Sequence, residues 1–117
     1  MKFKINSNLL LEKLSIIDNM CTKEDNKIYI KSLDNYIILY KCGKREINYP
    51  ISNVEIIEKK CGITFNIFDM IKVLKNFNNE DIYIYTELNS NLYIYNHEHK
   101  ANKAYTINYD FQLNPIP

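Results

Sequence analysis

Hydrophobic and polar positions alternate over residues 1–6, with Phe3 and Ile5 on one face and Lys2, Lys4 and Asn6 on the other, which predicts a half-buried strand. The period then changes. Leu10, Leu11, Leu14 and Ile17 stand at i, i+1, i+4 and i+7, the stripe of a helix lying on a sheet, and Glu12, Lys13, Ser15 and Asp18 occupy the other side. Asn6 or Ser7 is placed to cap this helix, which should run to about Met20. "CTKEDN" then reads as a polar loop, and "KIYIKS" and "YIILYKC" as strands joined by Leu33, Asp34 and Asn35. Gly43 permits a tight turn into a longer strand over about 45–58, and Pro50 inside it predicts an edge or a bulge.

The same order of elements then returns. A short strand over 61–66 precedes a helix over 67–77 with Asn66 or a neighbour as cap, and Met70, Ile71, Leu74 and Phe77 fall sixty positions after Leu10, Leu11, Leu14 and Ile17 without a gap. Asn78, Asn79 and Glu80 break that helix. "IYIYTE", "NLYIYNH" and "KAYTIN" follow as three strands separated by "LNSN" and by a loop around Glu98 to Ala101, and Ile82-Tyr83-Ile84 is the counterpart of Ile28-Tyr29-Ile30. Both halves, about 1–58 and 61–108 with a tail over 109–117, therefore read β-α-β-β-β. Two such halves predict one α+β domain with both helices on one face of antiparallel sheets.

Composition agrees with one core. A chain of 117 residues can bury roughly 65% of the surface that its unfolded form exposes, and its apolar runs are far too short to cross a bilayer. Met1-Lys2-Phe3-Lys4 opens an alternating strand and not the apolar block of a signal peptide, so the expectation is a soluble, cytoplasmic protein. Cys21, Cys42 and Cys61 are odd in number and widely spaced, which speaks against a disulfide framework or a zinc ribbon and for reduced, structural thiols. The formal net charge is +1, so any attraction to nucleic acid has to come from where the lysines stand.

Chemistry-bearing motifs are few. His97-Glu98-His99 carries metal-ligand residue types and its two histidines share a strand face, yet no third ligand stands nearby, and a polar hairpin tip accounts for it better. With two glycines there is little material for a phosphate-binding loop, and there is no nucleophile elbow, so catalysis and a cofactor are not expected. Tyr29, Tyr83, Tyr85, Tyr93 and Tyr95 alternate with Ile or Leu. They read either as the half-exposed face of an amphipathic sheet or as a partner surface.

The opening "MKFKINSNLLLEKL", the second-helix segment "FNIFDMIKVLKNF" and the closing "YTINYDFQLNPIP" resemble one domain of a bacterial DNA sliding clamp, the processivity ring of the replicative polymerase. The likeness runs from Met1 to about Leu113, and the Met-Lys-Phe start followed by Leu10, Leu11 and Leu14 is its most specific part. Clamp subunits string three such domains together and two subunits close the ring. This sequence holds one, so the resemblance implies head-to-tail assembly of several copies, six by analogy with the six-domain circle.

A ring around a duplex does not leave by dissociation, so its phosphate contacts can stay weak and blind to sequence. The resemblance places both helices on the inner wall. Lys72 and Lys75 beside Asn76 on helix two, Lys13 on helix one and Lys23 in the loop after it then become the residues facing double-stranded DNA. The plainer alternative is that these lysines solvate exposed helix faces, and Glu12 and Asp69 belong to the same surface. Two readings of function follow. One is a replication accessory factor of a phage, plasmid or other mobile element that encircles DNA and works with a polymerase and a clamp loader. The other is an interaction protein that keeps the clamp-domain shape without encircling DNA and acts on a host clamp or its loader.

Overall fold

Two stretches of alternating sequence that each run straight into an amphipathic helix dictate most of the architecture. The computed structural model describes residues 1–41, 47–59, 62–87, 91–96 and 104–111. In chain order the elements are β1 (Lys2–Asn6), α1 (Ser7–Asp18), β2 (Lys27–Ser32), β3 (Ile37–Lys41), β4 (Ile47–Ile51), β5 (Val54–Glu58), β6 (Ile63–Asn66), α2 (Ile67–Leu74), β7 (Asp81–Thr86), β8 (Asn91–Tyr95) and β9 (Ala104–Phe111). The nine strands form one sheet in the order β4-β3-β2-β6-β9-β8-β7-β1-β5, and every pairing is antiparallel. With α1 and α2 packed against each other, this is the α+β arrangement that the sequence predicts.

The two halves exchange their first strands. β1 pairs with β7, setting Phe3 opposite Ile84 and Ile5 opposite Ile82, while β6 pairs with β2, setting Ile63 opposite Ile30 and Phe65 opposite Ile28. Each helix entry is tied to the other half as well. The Ser7 amide donates to the Glu80 carbonyl at 2.8 Å, and the Ile67 amide donates to the Asn26 carbonyl at 2.9 Å. Of the candidate caps, Asn6 and Asn66 take the N-cap position in both cases, and Ser7 is instead fully buried with its hydroxyl accepting from the Glu80 amide.

The core lies between the sheet and the helices. Phe3, Ile5, Leu10, Leu14 and Ile17 from the first half meet Ile63, Phe65, Met70, Leu74 and Phe77 from the second. Burying each such side chain contributes about 1.5–3 kcal/mol relative to leaving it in water. The sixty-residue register is therefore a register of burial. Phe77 also packs edge-on against Tyr105 at 5.6 Å between ring centroids.

Several boundaries differ from the sequence reading. The single long strand expected over 45–58 is two, because Ser52 and Asn53 interrupt it: β4 stays with β3, whereas β5 pairs with β1. Pro50 lies in β4 at the end of the strand order, where its missing N–H breaks no ladder. Its counterpart β9 turns the same corner without a break, pairing with β8 through 104–108 and with β6 through Tyr109 to Phe111, so those three residues belong to a strand and not to a tail. Both helices end earlier than expected, at Asp18 and Leu74, and Gly43 lies outside the described residues. Among the described residues, no helix is long and apolar enough to cross a membrane.

Candidate nucleic-acid interface

The outward surface of the helix pair is fixed by what the pair buries. α1 turns Ser7, Leu10, Leu14 and Ile17 inward and α2 turns Ile67, Met70, Ile71 and Leu74 inward. Phe68, Asp69, Lys72, Lys75 and Asn76 are left exposed on and just after α2, with Phe68 39% accessible. On and just after α1 the exposed positions are Asn8, Glu12, Ser15, Ile16 and Asn19, and Lys13 is only partly exposed on the flank. The exposed base is thus concentrated on α2.

Lys72 lies in the last turn of α2 and Lys75 is its C-cap residue, a place where cations are favoured by the negative end of the helix dipole. Lys72 and Asp69 also border a hollow of about 300 Å³ against Thr106, Ile107 and Asn108 of β9. Asn76 has a different occupation. Its side-chain amide donates to the carbonyls of Lys72 and Val73, both at 3.2 Å, and so satisfies acceptors that the end of the helix leaves over.

Lys23 is exposed in the loop between α1 and β2, and that loop is stapled in place. The Thr22 amide donates to the Asp25 carbonyl and the Asp25 amide to the Thr22 hydroxyl, both at 3.0 Å, while the Asn26 amide group donates to the Lys23 carbonyl at 2.9 Å. Beneath it, Lys41 is 1% exposed and its ammonium lies 2.6 Å from the Asp25 carboxylate. Sequence reading missed this anchor. The signal was there: Ile37, Leu39 and Lys41 alternate onto one face of β3, and that face is the buried one. Cys21 closes the same corner, and burial pushes its thiol pKa up despite the opposing charge of Lys41.

The opposite face of the sheet carries the tyrosines. Tyr83 stacks on its cross-strand partner Tyr95 with ring centroids 5.5 Å apart, and Tyr85 leans on Tyr93 at 6.4 Å. The Lys2 ammonium lies over the rings of Tyr83 and Tyr85, 5.8 Å and 5.9 Å from their centroids. On the other sheet wing, Tyr29 covers Gly62 so closely that a Cβ there would fall 2.0 Å from the ring. No cluster of three or more His, Cys, Asp or Glu side chains able to hold a metal ion occurs among the described residues, and His97-Glu98-His99 lies outside them.

Set beside known proteins, the chain finds its likeness in shape. It superposes on the DNA polymerase beta subunit of Streptococcus pyogenes with a TM-score of 0.82 over 100% of its length at 13% identity. The fold is that of a sliding-clamp domain. DNA polymerase III subunit beta of Borrelia burgdorferi gives 0.82 over 97% of the chain at 15% identity, and the Helicobacter pylori beta clamp bound to a DNA ligase peptide gives 0.79 over 100% at 14%. The clamp domain described here spans about a third of each of those chains, 33%, 31% and 33% respectively. No protein-family model matches the sequence, and no curated protein matches it either.

Proposed function

We propose that this chain acts as one clamp domain that assembles head to tail with further copies, six by analogy, into a ring around duplex DNA, serving as a non-enzymatic processivity factor in the cytoplasm. The observation that carries this reading is a clamp-domain fold whose helix pair leaves Lys72 and Lys75 on its outward side. Of Lys72, Lys75, Lys23 and the flanking Lys13, even two or three useful cations per copy would give on the order of a dozen around a closed ring, enough for pronounced salt sensitivity. Asn76, tied to the end of its own helix, takes a positioning part beside the two lysines.

Assembly needs edges. β4 has no partner on its outer side among the described residues, and β9 is paired on one side only over 104–108. The internal symmetry relates these two strands, so β4 of one copy alongside the first part of β9 in the next would continue the sheet across a heterologous contact. The partners in this reading are double-stranded DNA, further copies, a polymerase and a clamp loader of the phage or plasmid that encodes it. The ligase peptide on the Helicobacter pylori clamp supports partner-peptide binding as a property to look for.

The base on α1 is confined to the partly exposed Lys13, and this favours the second reading, an interaction protein acting on a host clamp or loader without encircling DNA. Light-scattering mass separates the two. The ring reading expects a multiple of the 14.0 kDa chain at micromolar concentration, retained on circular plasmid and lost when the plasmid is linearised. A mass of one chain with no topological retention supports the second reading and removes the first.

A further inference from the structure

The tyrosine face is the part of the molecule that the DNA reading leaves unused. Tyr85, Glu87, Tyr93, Tyr95 and Ala104 surround an open hollow of about 320 Å³ on the side of the sheet away from the helices. Its walls are aromatic, and Glu87 is its sole charged lining residue among those described. Ala104 stands opposite Tyr95 in the register, and its small side chain is what leaves room beside the ring.

The backbone that carries the acid is held in place. The Glu87 amide donates to the Asn91 carbonyl at 3.0 Å, and the Tyr109 hydroxyl donates to the Glu87 carbonyl. The charge of Glu87 and its hydrogen bond to Tyr85 push that phenol's pKa up, as expected of a carboxylate set against the ring's hydroxyl. The neighbouring rings already attract a cation, because Lys2 lays its ammonium over Tyr83 and Tyr85.

We propose that the hollow bounded by Tyr85, Glu87, Tyr93, Tyr95 and Ala104 receives an arginine side chain of a partner protein. A guanidinium is flat enough to lie on a tyrosine face while its N–H fork reaches the Glu87 carboxylate, and it sheds water more readily than an ammonium does. An anionic or purely aliphatic partner would leave the carboxylate desolvated with no counter-charge. The site is independent of the helix wall, so a partner bound here and a duplex bound there do not compete for surface.

The probe is the peptide acetyl-Gly-Arg-Gly-amide, added to the whole protein carrying isotope-labelled tyrosine and followed by NMR. The expected result is a saturable shift of the Tyr85, Tyr93 and Tyr95 ring signals in the millimolar range. Binding should be about tenfold weaker for the citrulline peptide and about tenfold weaker for Glu87→Gln, each of which removes the charge from one side of the contact. Ala104→Leu, an exposed position, should fill the hollow and abolish the shifts while leaving the unfolding midpoint in place. Shifts that never saturate, equal affinity for the citrulline peptide, or undiminished binding to Ala104→Leu would overturn the proposal.

Discussion

Asn6 and Asn66 cap the two helices in the same geometry. The Asn6 side-chain oxygen accepts from the amides of Asn8 and Leu9 at 2.9 Å and 3.2 Å, and that of Asn66 accepts from Phe68 and Asp69 at 2.9 Å and 3.2 Å. Replacing either by Ala should cost about 1 kcal/mol, and replacement by Ser should cost much less. Asn6→Ala should be the more damaging, because the Asn6 amide group also donates to the Asn79 side chain at 3.1 Å and helps hold Asn79 at a φ of 54°. Urea denaturation of the four variants measures the differences.

Lys72→Glu combined with Lys75→Glu should leave the oligomer mass unchanged. Both side chains are exposed, and neither lies on β4 or β9. Association with duplex DNA should weaken and its dependence on salt should flatten, since fewer counterions are released per copy. Titrations at two or more salt concentrations provide the check, and unchanged binding removes both residues from the proposed wall.

Asp25 and Lys41 should respond unequally. Asp25→Ala takes the carboxylate from a lysine that is 1% exposed and should cost about 2 kcal/mol, because the buried ammonium loses a counter-charge. Lys41→Met should cost less, since Asp25 is 39% exposed and can turn to water. The double variant should recover part of what Asp25→Ala loses, and a denaturation cycle of all four proteins reads this coupling.

Tyr109 predicts an alkaline limit. Burial, together with the charge of Glu87, holds its pKa above the ordinary 10.0, opposed by a hydrogen bond with Thr86. The unfolded chain then gives up the phenolic proton at lower pH than the folded chain. Stability from this group is complete below about pH 10 and falls as pH rises toward the folded pKa. Tyr109→Phe should make that fall shallower while costing about 1 kcal/mol at neutral pH for the lost bond to the Glu87 carbonyl. Unfolding midpoints between pH 8 and pH 11 give both quantities.

Where local pattern decides the outcome, the sequence is readable. The burial of Leu10, Leu14, Met70 and Leu74 and the placing of a cap at Asn66 or a neighbour follow from period and residue type alone. The break at Ser52 and Asn53 does not, because it arises where one segment must serve β3 on one side and β1, half a chain away, on the other. The same holds for the wall. Lys72 and Lys75 are legible as exposed, whereas the tie of Asn76 to its own helix and the pairing of Lys41 with Asp25 in the Lys23 loop depend on where chain ends and loops come to rest in space.

The reciprocal loan of β1 and β6 has a consequence for how the molecule comes into being. During synthesis the first half emerges with its opening strand able to pair only with β5, and the other side of β1 is completed when β7 arrives. Two fragments severed between Lys59 and Gly62 should each be far less stable than the whole chain and yet reconstitute the native fold on mixing, since the partners that β1 and β6 lack in one fragment are supplied by the other.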